Sequence, residues 1–385
     1  MPFTGKATYS AGAELPEIAE DVADLVAIAA GAETPLLDAL GDPARPARSV
    51  LHEWLEDAPL PNTVGVVSYD VPNLITVDDP SRVRVHDQVR IDSPDSLEVM
   101  RVSAINGSEL TVVRNYGGTP GGAVPSNGDT LQILGNAVAE GADATDPRFT
   151  TRSRRSNTTQ IFAATVEVSG SELAVRQAGV RDELEYQKAM RLRELLRDLE
   201  NSVVNGAADA NPPGGNPAGS DAAPRTMRGI IASIGDNRFI PDVDGFPSDA
   251  DLTEEQLNLA LRTMWENGGS GPDLLVVGGR QKRAINRFVA SGRRFAAGSE
   301  TFKDSVSIYE SDFGECRVVL CRSVPAGAVL MLDSSRISVL PLAGRSFGYK
   351  PLARTGDREA GQIVGEYTVE VRNPECHGAI IGLAA

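Results

Sequence analysis

A single apolar stripe along one predicted helix constrains the fold of this chain more than any other feature. Between residues 180 and 204, apolar side chains recur at helical spacing on one face, and charged side chains occupy the other faces. The stripe consists of Leu184, Leu192, Leu195, Leu196, Leu199 and Val203. A helix of ~25 residues is roughly 38 Å long. Because only one face is apolar, we expect this helix to lie across a sheet or a lobe and not inside a helical bundle.

Residues 1–47 are predicted to form an acidic N-terminal arm. A narrow apolar stripe at helical spacing, with acidic residues between its members, runs through Ile18, Val22, Leu25, Val26 and Ala29. Thr34-Pro35 ends or restarts this helix, and Gly41-Asp42-Pro43 breaks it again.

Residues 81–135 are predicted to form a separate small barrel or sandwich. Strand-like runs follow one another at 83–85, 88–91, 97–103, 110–114 and 130–134. Asn106-Gly107 lies between two alternating runs and predicts a hairpin, since a type I′ turn needs positive φ at both central residues. The flanking residues 48–80 and 136–168 are interpreted as an extended loop that carries this domain, with prolines that exclude helix from its first part.

The remaining chain is predicted to contain the long helix within residues 169–205, a loop and an α/β lobe. Residues 206–224 are rich in Gly, Pro, Ala and Asn without periodicity, which predicts a flexible loop. Residues 225–342 alternate helix and strand patterns, among them a capping-box pair, Thr253 with Gln256, that predicts a helix start. A buried strand at 273–277 and a helix at 280–290 follow. Residues 343–385 end in strand-like runs at 362–371 and 379–383.

Composition narrows the functional classes. The formal charge of −16 argues against a protein that grips nucleic acid by neutralising phosphates. No apolar run approaches the roughly 20 residues that a membrane-spanning helix needs, and the first residues lack a secretory pattern, so we expect cytoplasmic synthesis and no membrane partner. Three scattered cysteines, Cys316, Cys321 and Cys376, are interpreted as reduced, buried apolar residues.

Catalytic signatures are missing from the sequence. There is no GxxxxGK[ST], HExxH or GxSxG pattern, so we expect no enzyme activity, no cofactor and no metal. His52 and His86 lie in strand-like segments in which no catalytic acid or nucleophile partner is recognisable, and both are interpreted as inert. Arg152, Arg154 and Arg155 form the densest basic cluster. Pairing with carboxylates of a neighbouring subunit is favoured over contact with DNA, because guanidinium binds carboxylate bidentately.

The order of these elements resembles the tailed-bacteriophage major capsid protein, a fold shared with encapsulins, and in particular the capsid family with a β domain inserted in its extended loop. The resemblance covers nearly the whole chain in order, and six segments carry it: Glu33–Gly41, His52–Asp57, Val113–Thr119, Asn157–Phe162, Tyr186–Glu200 and Thr226–Ile230. It implies an α+β fold with a peripheral domain built on the long spine helix and an axial domain at 225–342. Residues 343–385 would then supply the last strands of both domains.

The resemblance implies a structural protein that assembles into pentamers and hexamers of an icosahedral head shell around double-stranded DNA, without sequence-specific binding. The resemblance also implies portal, scaffolding and decoration proteins as partners. The protein would be located in the virion capsid, after assembly in the bacterial host cytoplasm. The candidate assembly contacts are Trp54, Arg152, Arg154, Arg155, Glu185 and Arg191. Two alternatives remain: an encapsulin-like compartment around an enzyme, which usually lacks the insertion, and a soluble α/β enzyme with a β accessory domain.

Overall fold

The computed structural model describes residues 34–57, 61–70, 73–93, 97–122, 124–138, 140–141, 143, 149–150, 152–174, 183–208, 219, 223–235, 237–268, 271–292, 308–353 and 356–384. The chain divides into two compact units, one of residues 55–153 and one of residues 1–54 with 154–385. The arm helix predicted around Ile18 to Ala29 lies outside the described residues.

Within the described ranges, the helices are α1 (Pro35–Leu40), α2 (Gly170–Ala174), α3 (Glu183–Asn205), α4 (Ile230–Ser233), α5 (Glu254–Gly268) and α6 (Gly279–Gly292). The strands of the barrel unit and its connections are β1 (Leu51–Glu56), β2 (Thr63–Asp70), β3 (Leu74–Val77), β4 (Asp87–Ile91), β5 (Met100–Asn106), β6 (Glu109–Val113), β7 (Thr130–Asn136) and β8 (Ser153–Thr158). The other strands are β9 (Gln160–Ser169), β10 (Arg238–Phe239), β11 (Leu274–Val277), β12 (Ile308–Ser311), β13 (Gly314–Leu320), β14 (Ala328–Leu332), β15 (Ile337–Pro341), β16 (Gly348–Pro351), β17 (Arg358–Val371) and β18 (Gly378–Ile381).

The long helix α3 packs against a sheet, as its single apolar stripe predicts. Five of the six stripe residues are buried, and the sixth, Leu184, packs against the same core. The opposing sheet is centred on β17, which pairs with β9, β15 and β16. Its ten-residue antiparallel register with β9 runs from Arg358 opposite Ser169 to Tyr367 opposite Gln160. Phe162, Val166 and Val369 face the helix in this core.

A six-stranded sheet in the order β10-β18-β14-β11-β13-β12 forms the second part of this unit. Its central strand β11 is buried along its whole length, because Leu274 and Val276 face the α3 core while Leu275 and Val277 face a second core with α5. The predicted capping box starts α5: Thr253 N donates to Gln256 Oε1 (3.1 Å), and Gln256 N donates to Thr253 Oγ1 (3.2 Å). Strand β15, inside the predicted 225–342 lobe, pairs instead with β17.

The other unit contains a closed barrel in the order β2-β3-β6-β5-β4-β7. It starts at Thr63 and not at residue 81, so the predicted boundary is wrong: β2 and β3, assigned to the extended loop, are barrel strands. Their alternating residues, such as Val64 and Ile75, fill the barrel core. The predicted strand at 83–85 is absent from the described residues there, since the chain turns at His86, which has φ of 73°.

The predicted hairpin exists, but its turn is shifted by one residue. Asn106 pairs with Glu109, so Gly107 and Ser108 are the two central residues. Only Gly107 has positive φ (61°), which fits a type II′ turn and not the predicted type I′.

Candidate assembly surface

The candidate surface centres on a two-stranded ribbon formed by β1 and β8. Along β1, Leu51 and Leu55 are 40% and 60% exposed, while the ring of Trp54 stacks on His52 with 5.7 Å between centroids. A two-stranded ribbon is at best marginally stable in water by itself. The ribbon therefore needs anchoring within the subunit, and its exposed leucines leave apolar surface for a neighbour to cover.

A buried carboxylate anchors the ribbon to β17. The side chain of Glu370 is 1% exposed, and its Oε2 lies 2.7 Å from Nε2 of His52. Arg372 donates to Glu370 Oε1, and Nη2 of Arg45 lies 3.5 Å from the same oxygen. Burial raises the pKa of the Glu370 carboxyl, but the hydrogen bonds from His52 and Arg372 outweigh it and hold this pKa at about 2. The sequence does not reveal this acid partner of His52, because Glu370 lies 318 positions away.

A second buried carboxylate, Glu366, lies on the same face of β17, four residues before Glu370. It accepts hydrogen bonds from Thr159 Oγ1 (2.6 Å), from Arg225 and from Arg345, whose Nε lies 2.7 Å away. Burial raises the pKa of Glu366, but these partners lower it more, so the net pKa lies below its usual value. Glu366 thus ties the start of β9, the segment before α4 and the chain between β15 and β16 to one point.

Asn157 joins β8 to the segment that leads into α4. Its Nδ2 donates to the carbonyl oxygens of Arg228 (2.8 Å) and Val369 (2.7 Å), and its Oδ1 accepts from the amides of Arg228 and Thr158. All its hydrogen-bonding capacity is used, which explains why an asparagine stands at this position of β8. Next to it Gly229 is required, because a Cβ there would lie 2.6 Å from the backbone nitrogen of Gly206.

The structure brings only some of the predicted contact residues together. Arg152 lies 3.7 Å from Asp57 and Arg154 lies 3.7 Å from Glu53, both at the ribbon, and Arg155 is exposed beside them. Exposed pairs of this length contribute about 0–1 kcal/mol. The arginines can therefore exchange these partners for a neighbour's carboxylates at little cost.

The two remaining predicted contacts lie on α3 and not on the ribbon. Glu185 pairs with Lys188 at 2.6 Å, and Arg191 pairs with Glu194 at 2.5 Å, each at i,i+3 spacing. Such pairs stabilise the helix itself by a few tenths of a kcal/mol.

Sequence reasoning missed Glu366 and Glu370. The available signal was two acidic residues on one face of a strand whose other residues are mostly apolar or β-branched.

Among the residues that the structure describes, no three His, Cys, Asp or Glu side chains are grouped so as to hold a metal ion. None of the described helices is long and apolar enough to span a bilayer. The three cysteines are buried and form no disulfide, and burial raises the pKa of Cys316 to about 12 and that of Cys321 to about 11.

A spine helix across an antiparallel sheet, an α/β lobe and an extended ribbon that leads to a barrel define the α+β class of virus capsid subunits. The chain belongs to the SU10 major capsid protein family, whose model matches residues 3–384. The resemblance drawn from the sequence is confirmed. The protein is therefore a structural subunit that assembles with copies of itself into the shell of a phage capsid.

Solved structures with a similar fold include those of two phages and an encapsulin. The chain is 14% identical to a protein of Microbacterium phage Oxtober96 (TM-score 0.45) and 13% identical to one of Mycobacterium phage Cain (TM-score 0.44), each over 91% of this chain and 90% of the other. The holo-SrpI encapsulin complex of Synechococcus elongatus is 9% identical over 61% of this chain and 78% of that one, with a TM-score of 0.43. No curated protein matches the sequence. At these TM-scores the assignment depends on the family match alone.

Proposed function

We propose that the chain forms pentamers and hexamers that close into an icosahedral head shell around double-stranded DNA. Assembly takes place in the host cytoplasm, the chain has no catalytic role, and it binds the genome without sequence specificity. Portal, scaffolding and decoration proteins complete the particle. The family match over residues 3–384 is the observation that carries this proposal.

The ribbon is the element of the subunit that best supports assembly. It is anchored at one end by His52 and Glu370, yet Leu55 remains 60% exposed on a strand that lacks a second neighbour among the described residues. A neighbouring subunit that covers Leu55 removes this apolar surface from water. Individually modest contacts become collectively strong, because closing a shell makes the later contacts intramolecular. The predicted division into arm, extended loop, peripheral domain and axial domain is part of this proposal.

Assembly of a Leu55→Glu variant tests the role of the ribbon. We expect the variant to fold with an unchanged melting temperature, since Leu55 is exposed, and to lose closed shells in electron micrographs. Leu97→Glu is the matched control, because Leu97 is 67% exposed on the barrel unit and lies outside the ribbon. Normal shell yield from the Leu55 variant would contradict the assigned role of the ribbon.

The contents of the particles distinguish a head shell from an encapsulin-like compartment. We expect nuclease-protected double-stranded DNA in shells made during infection. Particles filled with one enzyme and free of DNA would support the compartment instead.

A further inference from the structure

The arginines of the barrel fall into two groups. Arg82 and Arg114 form ion pairs with carboxylates of the barrel itself, at 2.9 and 2.6 Å. The guanidinium groups of Arg84, Arg90 and Arg101 have no carboxylate oxygen of the described residues within 4 Å, although the backbone amide of Arg84 donates to Asp87 Oδ2 at 2.6 Å. In addition, the Nε atoms of Arg84 and Arg101 are buried and make no hydrogen bond to any described residue. Buried donors are normally paired, so unpaired guanidinium donors at a partly open surface require an explanation.

Two of these arginines lie side by side on the outside of the barrel. Arg101 on β5 is directly opposite Gln88 on β4, and Arg90 lies two residues further along β4 on the same face. Gln132 accepts a hydrogen bond of 2.8 Å from Nη2 of Arg90, and the ring of Tyr116 lies under the guanidinium of Arg101 at 4.7 Å. We call the surface formed by Gln88, Arg90, Arg101, Tyr116 and Gln132 the arginine face. Its two guanidinium groups are held in fixed positions before any ligand binds.

The chemistry of the arginine face selects a short anionic partner. Guanidinium donors bind carboxylate or phosphate oxygens in a planar fork. The unit of residues 55–153 contains 14 acidic and seven basic residues, which gives a net charge of −7. A long polyphosphate would be repelled by the rest of this unit. A protein segment that presents a few carboxylates meets the two arginines without that penalty.

Such a segment exists in the chain itself. Residues 7–33 contain six carboxylates, at Glu14, Glu17, Glu20, Asp21, Asp24 and Glu33, and no lysine or arginine. Thirty-three residues N-terminal to the first described residue, Thr34, span up to about 110 Å when extended. This reach exceeds the diameter of a domain, so the segment can contact a neighbouring subunit.

We propose that the acidic N-terminal arm of a neighbouring copy binds the arginine face of the barrel. The inference rests on the proposed shell, in which every chain is surrounded by copies of itself. Within their own subunit Arg90 donates to Gln132 and Arg101 to the Tyr116 hydroxyl, and the arm supplies the carboxylates with which neither guanidinium pairs among the described residues. Each subunit is thereby fastened to the next by its own first residues, and salt weakens this contact because it is electrostatic.

Carbodiimide coupling tests this contact in the full chain. Arg90→Lys places an amine on the arginine face, and carbodiimide joins an amine to a carboxylate only where the two touch. Equal amounts of ¹⁴N- and ¹⁵N-labelled variant are assembled together, coupled and digested. We expect coupled peptides that join position 90 to the carboxylates between 14 and 33, half of them with mixed isotopes. Arg82→Lys is the matched control, because Arg82 belongs to the same barrel but already pairs with Asp79.

The expected yield of coupling to the arm carboxylates is about tenfold higher from position 90 than from position 82, the ratio that a contact of about 1.4 kcal/mol gives; coupling of position 82 to the adjacent Asp79 is not counted. Equal yields of coupling to the arm from the two positions, or coupling of position 90 only to other carboxylates, would overturn the inference. Shells that form without mixed-isotope coupling overturn this inference and leave the proposed function intact. A sample without shells contradicts the proposed function, and absence of mixed coupling in that sample overturns the inference as well.

A charge exchange gives an independent test. Arg90→Glu combined with Arg101→Glu should reduce shell yield and its dependence on salt, with the fold kept, because neither arginine pairs with a buried carboxylate. Glu17→Arg combined with Glu20→Arg in the same chain should restore the yield. Failure of the arm changes to restore it would show that another partner occupies the arginine face.

Discussion

Glu200 on α3 offers the sharpest test of how the subunit holds helix α1 in place. Its carboxylate is 1% exposed and accepts hydrogen bonds from the amides of Leu36 (2.9 Å) and Leu37 (3.3 Å) in the first turn of α1. The thiol of Cys321 donates to its other oxygen at 3.2 Å. No lysine or arginine of the described residues pairs with it. Burial therefore raises the pKa of Glu200 above its usual value of 4.5.

Two substitutions separate the hydrogen bonds of Glu200 from its charge. Glu200→Ala leaves two buried amides without acceptors, at about 1–3 kcal/mol each, and opens a cavity, so we expect α1 to be destabilised by about 3 kcal/mol. Glu200→Gln keeps an acceptor for both amides and removes the buried charge. Because the folded pKa is raised, the carboxyl favours the folded state below pH 4.5 and loses this contribution as pH rises through the folded pKa. The glutamine variant should therefore be at least as stable as the natural chain at pH 8.

Hydrogen exchange of the peptide that contains α1 measures both effects without requiring a two-state transition. We expect exchange in the alanine variant to be about 100-fold faster at pH 8, the factor that about 3 kcal/mol gives. The glutamine variant should exchange no faster than the natural chain at pH 8. As pH falls and the natural carboxyl is protonated, protection of the natural chain should increase relative to that of the glutamine variant. Equal protection of the alanine variant and the natural chain would refute the reasoning, as would a glutamine variant as labile as the alanine variant at pH 8.

Other predictions follow from the buried polar groups and the helix caps. Glu370→Gln should lower the free energy of unfolding by about 3 kcal/mol at pH 7, as urea unfolding can measure. This loss should shrink as the natural carboxyl is protonated between pH 4.5 and its folded pKa of about 2. A loss that does not depend on pH would contradict this reasoning. Cys316 and Cys321, with raised pKa values, should resist iodoacetamide at pH 8 until the chain is unfolded, as mass spectrometry can show, and rapid labelling of the folded chain would count against their burial. Thr253→Ala should lower stability by about 1 kcal/mol in thermal unfolding because α5 loses its cap, whereas no change would mean that Gln256 caps it alone.

The sequence alone predicts those elements that depend on residues close together in the chain. The α3 stripe, the Thr253 cap and the apolar run of β11 each depend on residues within a few positions, and the structure has them where they were predicted. The barrel boundary was missed for a different reason. Alternation at Val64, Val66, Ile75 and Val77 was present in the sequence, but prolines around it favoured an extended loop, and closure of the barrel depends on pairing of β2 with the distant β7.

The anchors of the candidate surface could not be predicted from neighbouring residues. His52 and Glu370 are 318 positions apart, and Glu366 and Arg225 are 141 positions apart. Only the fold brings such partners together. The roles of Trp54, Arg152, Arg154, Arg155, Glu185 and Arg191 at subunit contacts stay predictions.

Cryo-electron microscopy of particles assembled from the full chain tests most directly whether this protein is the wall of a phage head. We predict a closed icosahedral lattice of pentamers and hexamers in which every lattice position shows one copy of α3, the ribbon and the closed barrel. A lattice built from another protein, with this chain absent from it or present only as an occasional attachment, would contradict the proposal.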